Sequence, residues 1–150
     1  MNNKTMLIDK YGREITYLRI SVTDRCNLRC VYCMPLEGIK YFNKTNILTF
    51  EEMERFSKIA VGLGVNKIKI TGGEPLARKG IVNFIGSLKK IKRLDDISIT
   101  TNGILLEEMI DDLRDAGLKR VNVSLDSLDP DRYNTITRGG DLNKVKNGVK

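Results

Sequence analysis

The sequence predicts an α/β fold, four consecutive βα units with their strands parallel in one open sheet. Three observations predict it. Four short runs of strand character (residues 17–22, 65–70, 97–100 and 120–125) alternate with longer stretches that carry helix start and stop signals. Strands alternating with helices are the pattern of a parallel sheet joined by right-handed crossovers. Each strand, moreover, alternates apolar with polar residues, whereas strands of a two-sided parallel sheet are usually apolar on both faces.

Taken in order, residues 1–16 form an N-terminal extension with a turn at Tyr11-Gly12-Arg13. The first strand runs straight into a cysteine loop. After an irregular stretch, Thr49-Phe50-Glu51-Glu52 fits a capping box, with Leu48 and Met53 placed for a hydrophobic staple. The helix that follows is expected to reach Leu63, where Gly64 can end it. The second strand closes on Thr71-Gly72-Gly73-Glu74-Pro75, and a helix over residues 80–91 follows. The third strand ends at Thr101-Asn102-Gly103 and leads to a helix over 105–116, with Gly117 beyond it. After the fourth strand, Asp129-Pro130 supplies an N-cap and a first-position proline for a short helix. A last helix begins near Asp141 and runs into the end of the sequence at Lys150.

The alternation defines two faces. Leu18, Ile20, Ile68, Ile70, Ile97, Ile99, Val121 and Val123 suit packing under helices. Arg19, Ser21, Lys67, Lys69, Thr71, Ser98, Thr100, Arg120, Asn122 and Ser124 share the other face. A complete TIM barrel fills its centre with Val, Ile and Leu; a polar inner wall belongs to an open, wet chamber. No carboxylate falls among these inward positions, and unpaired cations there call for an anionic ligand such as a phosphorylated substrate.

At 150 residues, with 41% hydrophobic and 30% charged residues, the chain is of single-domain size and composition. No apolar run approaches the roughly 20 residues of a membrane span. The N-terminus lacks the apolar stretch of a signal peptide. The formal charge of +7 admits a nucleic-acid partner, but lysine-rich helix faces such as Lys89-Lys90-Ile91-Lys92-Arg93 account for most of it.

All three cysteines, Cys26, Cys30 and Cys33, fall within one C-x3-C-x2-C run. Their odd number excludes a closed disulfide framework. A structural zinc site normally takes four protein ligands, and this chain has no fourth cysteine and no histidine. Iron–sulfur clusters take cysteine thiolates, usually one per iron. Three thiolates on a four-iron cluster leave one iron open. A zinc or adventitious metal loop stays open as the alternative, and closely spaced thiols without a signal peptide point to a reducing compartment, the cytoplasm.

C-x3-C-x2-C with Tyr32 before the last cysteine resembles the signature of the radical S-adenosylmethionine (SAM) superfamily. After those cysteines, Gly72-Gly73-Glu74-Pro75 resembles that superfamily's GGEP motif. The resemblance implies a partial TIM-type barrel, a 4Fe-4S cluster and SAM as cofactors, and 5′-deoxyadenosyl radical chemistry supplied by the cofactor, with no side chain acting as acid or base. The longer run from Leu18 through Thr23-Asp24-Arg25-Cys26-Asn27 to Cys33-Met34-Pro35 resembles the GTP 3′,8-cyclase family of molybdenum cofactor biosynthesis. So do Lys69-Ile70-Thr71-Gly72-Gly73-Glu74-Pro75-Leu76, Thr100-Thr101-Asn102-Gly103 and Val123-Ser124-Leu125-Asp126-Ser127-Leu128.

Carried over, the resemblance implies Cys26, Cys30 and Cys33 as cluster ligands and Tyr32, Gly73 and Ser124 as SAM contacts. It implies Arg19, Lys69 and Thr100 as GTP contacts. It also implies an electron donor and, for the complete protein, a possible homodimer. That family is about twice as long and holds a second 4Fe-4S cluster in its C-terminal part. The sequence is accordingly expected to be an N-terminal fragment, with the SAM half of the site and no turnover of its own. The rival readings are another radical SAM enzyme with a different substrate and, from another class, a basic zinc-binding nucleic-acid module. The latter requires aromatics interleaved on a basic face, which five tyrosines and four phenylalanines scattered along the chain do not supply.

Overall fold

The computed structural model describes residues 6–150. Its centre is one four-stranded parallel sheet in the order β1-β2-β3-β4, formed by Tyr17–Ser21 (β1), Lys67–Thr71 (β2), Asp96–Thr101 (β3) and Arg120–Val123 (β4). Five helices follow the strands: Phe50–Gly62 (α1), Ile81–Lys89 (α2), Leu106–Ala116 (α3), Pro130–Thr137 (α4) and Leu142–Val149 (α5). Short 3-10 turns at Lys44–Asn46 and Pro75–Ala77 were not signalled by the sequence, because three residues hold no periodicity. The first five residues of the expected N-terminal extension lie outside the described residues. The rest of it forms the expected turn, with the Tyr11 and Arg13 N–H groups donating to Asp9 Oδ1 at 2.8 and 3.0 Å.

The helix ends follow their local chemistry. Thr49 and Glu52 make both bonds of the capping box, at 3.2 and 2.7 Å. The expected staple is not made by mutual burial: Met53 is buried while Leu48 is 54% exposed. It is the Leu48 carbonyl that is held, by Arg78 Nη2 at 2.8 Å, and the Arg78 guanidinium also lies 4.1 Å from the Phe50 ring centre. Phe50 in turn stacks on Phe84 of α2 at 4.7 Å. Asp129 caps α4 through the Arg132 N–H at 2.8 Å, with Pro130 in its first turn.

The alternation puts the core where the sequence placed it. Ile20, Ile68, Ile70, Ile97 and Ile99 pack with Phe84, Ile85, Leu88, Leu106 and Leu113 beneath the helices. A second, smaller cluster joins Tyr133, Leu142 and Val145 with Ile104 and Val123. Burying roughly 1.5–3 kcal/mol per large apolar side chain, these contacts make the sheet a rigid base for the loops at its C-terminal edge.

The polar wall requires one correction. β3 begins a residue earlier than its apolar pattern suggests, so Asp96 joins the inward face beside Lys67 in register. There it pairs with Arg120 of β4. The carboxylate thus neutralises a cation at the lower end of the wall. Arg19 and Lys69, register partners on β1 and β2, make no ion pair among the described residues.

Candidate functional site

The site begins where β1 gives out. Val22 is fully buried and donates to Thr71 O at 2.8 Å, which keeps the chain on the sheet edge for one more residue. Beyond it, the backbone of residues 23–25 lies directly on the Gly72-Gly73 turn. Gly73 N–H donates to Thr23 O at 2.7 Å and Glu74 N–H to Arg25 O at 2.8 Å. A Cβ on Gly72 would sit 2.5 Å from Thr23 O, and one on Gly73 would sit 2.3 Å from Arg25 O. The glycines are therefore needed for a close approach, and what approaches them is the chain's own cysteine loop.

Glu74 fastens the same turn to the next strand. It is 1% exposed, and its carboxylate accepts from Leu76 N–H at 2.9 Å, Thr101 Oγ1 at 2.8 Å and Asn102 N–H at 2.7 Å. Burial pushes its carboxyl above the usual range, against the pull of those three bonds. Sequence reasoning quoted Glu74 only as a letter of a motif. Its task shows in three dimensions alone, because two of its partners lie at the end of β3 and just past it.

The cysteine loop has further supports. Asp24 Oδ2 accepts from Phe42 N–H at 2.7 Å, and Arg25 lies 5.4 Å from the Tyr41 ring centre. The Cys26 sulfur receives Leu28 N–H at 3.4 Å and Asn102 Nδ2 at 3.7 Å. Further on, the loop docks against the C-terminal end of α4. Arg29 N–H donates to Thr137 O at 3.3 Å and Val31 N–H to Ile136 O at 2.9 Å, two carbonyls left free at the helix end. Arg138 then reaches back to Met34 O at 2.7 Å, and Met34 itself is buried. Cys33 and Met34 N–H groups both donate to Cys30 O at 3.0 Å, closing the C-x2-C turn.

Cys26 and Cys30 are half-buried and Cys33 is exposed. Burial pushes the Cys30 thiol up; the Tyr32 hydroxyl opposes this, while negative charge on Cys33, Cys26 or Asp126 adds to it. Tyr32 donates to Asp126 Oδ2 at 2.8 Å, and its phenol is raised strongly, first by burial and then by that bond and the neighbouring negative charges. Tyr133, from α4, is 1% exposed with a hydroxyl that has no partner among the described residues; burial raises its phenol, and charge on Cys30 and Asp126 acts the same way.

Among the described residues no three Cys, Asp or Glu side chains are gathered to hold a single metal ion. A cluster asks for something else: one thiolate per iron, each at its own corner. The donor chemistry fits that demand. Three free thiols stand in one loop, and backbone and side-chain N–H groups already point at the Cys26 sulfur.

The remaining expected residues lie on the strands or just past them. Arg19 and Lys69 lie side by side on the polar face, Thr100 lies on the same face of β3, and Ser124 follows β4, its N–H donating to Thr101 O at 2.9 Å. Arg19 and Ser124 are exposed; Lys69 and Thr100 are half-buried. All four strands thus send their C-terminal ends toward one rim, where an α/β barrel keeps its chemistry.

The chain is similar to known proteins in sequence and in fold. The chain is 57% identical over 150 residues to a GTP 3′,8-cyclase of Peptoclostridium acidaminophilum, covering all of this chain and 46% of that protein. It is 54% identical over 144 residues to a GTP 3′,8-cyclase of Petrotoga mobilis, covering 96% of this chain and 45% of that one. The chain therefore spans a little under half the length of the curated relatives it matches. Among solved structures, Streptococcus suis SuiB bound to S-adenosylmethionine superposes with a TM-score of 0.68 at 23% identity, over 87% of this chain and 28% of that one. Methylornithine synthase gives 0.68 at 19% identity, over 89% and 40%. These likenesses show a common fold. With the cysteine loop, the Gly-Gly-Glu-Pro turn and the parallel sheet in place, the Radical SAM superfamily profile matches residues 20–150, and the chain belongs to that superfamily.

Proposed function

We propose that this chain is the SAM-binding, N-terminal portion of a GTP 3′,8-cyclase, a lyase that converts GTP to (8S)-3′,8-cyclo-7,8-dihydroguanosine 5′-triphosphate in molybdenum cofactor biosynthesis. The identity to curated cyclases over essentially the whole chain supports the reading. The observation that carries it is the pair Arg19 and Lys69, adjacent cations on the polar wall that make no ion pair among the described residues, whereas Asp96 lies beside Lys67 in register and pairs with Arg120.

Cys26, Cys30 and Cys33 would hold a 4Fe-4S cluster, and Tyr32, Gly73 and Ser124 would line SAM. When bound, cluster and SAM would supply radical, hydrogen-abstracting chemistry toward GTP. The chain's own residues bind and aim. Gly73 has its N–H committed to Thr23 O, so its carbonyl is the group left to accept from the amino group of SAM's methionine. Arg19 and Lys69 neutralise phosphate charge, each through charge-assisted hydrogen bonds, and Thr100 offers a hydroxyl beside them. No side chain is assigned a proton. The complete protein is a cytoplasmic enzyme served by an electron donor, carries a second 4Fe-4S cluster in its C-terminal part and works as a homodimer; this chain alone does not turn over GTP.

The test is GTP affinity of the complete protein by calorimetry. Lys69→Ala or Arg19→Ala is expected to weaken GTP binding about 10- to 100-fold, the roughly 1.5–3 kcal/mol of a hydrogen bond to a charged group, and to leave SAM affinity unchanged. Unchanged GTP affinity in both variants would remove the triphosphate from this wall.

A further inference from the structure

The geometry points to Asn102 as a positioning residue for the cluster, its side-chain amide holding the Cys26 sulfur and setting the electron affinity of what that sulfur binds. This rests on the ligand assignment above. Asn102 stands just past β3, and its orientation is over-determined. Its backbone N–H is taken by Glu74 Oε2 at 2.7 Å, and its Oδ1 accepts from Ile104 N–H at 3.0 Å. Since the oxygen is fixed by a backbone donor, the NH2 end must face the cysteine loop. Its two hydrogens find two acceptors there, Asn27 Oδ1 at 2.7 Å and Cys26 Sγ at 3.7 Å. Leu28 N–H adds a second donor to the same sulfur at 3.4 Å.

The arrangement links three loops that would meet at the cluster. Glu74 ties the Gly-Gly turn to Asn102, and Asn102 ties the end of β3 to Cys26 and Asn27. An ordinary turn asparagine needs only the bond to Ile104 N–H; a turn role does not require a nitrogen donor on a neighbouring loop's sulfur. Such a donor stabilises negative charge on sulfur. Reduction adds an electron to the cluster, so the donor favours the reduced state and raises the reduction potential.

The readout is the midpoint potential of the full chain after anaerobic reconstitution with iron and sulfide, followed by electron paramagnetic resonance as the potential is stepped. Asn102→Asp keeps an oxygen for Ile104 and the backbone bond to Glu74 but turns a carboxylate toward Cys26. Compared per cluster loaded, it is expected to shift the midpoint to a more negative value. Asn102→Ala, which removes the donor without adding charge, is expected to shift it the same way by less, and decides the matter alone if the Asp variant does not fold. Equal midpoints in wild type and both variants would overturn the role of Asn102 while leaving the cluster in place. A wild-type chain that assembles no cluster would overturn the ligand assignment, and this inference with it.

Discussion

Glu74 is the residue on which the rim's geometry turns, and it exposes how little a motif says about cause. Its buried carboxylate satisfies three donors from its own turn and the next strand's loop. Because burial raises its carboxyl above the ordinary 4.5, the folded chain holds that proton more tightly than the unfolded chain does. Stability linked to Glu74 is therefore fully present below 4.5 and lost as pH rises through the raised folded value. The unfolding free energy of wild type minus that of Glu74→Gln is expected to fall with pH in that window, by at most about 1.4 kcal/mol per unit, and then level off. Denaturant unfolding at stepped pH reads it; a difference that stays flat or rises contradicts it. The cysteines were legible because all three lie in one short run of sequence. Glu74 and Asn102 were not, because Thr101 is 27 residues from Glu74 and Cys26 is 76 residues from Asn102, separations that no local pattern carries.

The elements were legible to the degree that their ends are written locally. The capping box of α1, the Asp129-Pro130 start of α4 and the glycine beyond α3 all stand where the sequence put them. Asp96 escaped because strand ends are set by pairing with a neighbour, here Lys67, rather than by apolar period. Least visible was the service of α4. A short helix after the fourth strand looks like one more crossover, yet its terminal carbonyls and Arg138 carry the cysteine loop. Arg138→Ala is expected to destabilise the chain by about 1 kcal/mol, the value of one hydrogen bond. It is also expected to speed amide exchange at Cys33 and Met34, which are closed onto Cys30 O, more than elsewhere. Uniform exchange across the loop would show that Arg138 carries no part of it.

At the scale of the molecule, strands alternating with helices were enough to give the sheet's parallel sense, and the alternation of apolar and polar residues along each strand its polar face, since a one-residue slip would bury Arg19 and Lys69; the order of the strands is read from the structure. The core beneath the helices follows from the same pattern. What the pattern could not supply is which wall cations are already neutralised, as that depends on side chains meeting across strands, such as Asp96 and Arg120. The proposed cluster site lies at the rim, where the cysteine loop meets the Gly-Gly turn, the end of β3 and Asp126 after β4. The most direct measurement is anaerobic reconstitution of the chain, with iron and sulfide counted and the reduced sample's electron paramagnetic resonance spectrum recorded before and after SAM is added. The account predicts about four irons and four sulfides per chain, a spectrum that changes on SAM addition, and loss of both in Cys30→Ala. Zinc in place of iron, or a cluster whose spectrum ignores SAM, would contradict it.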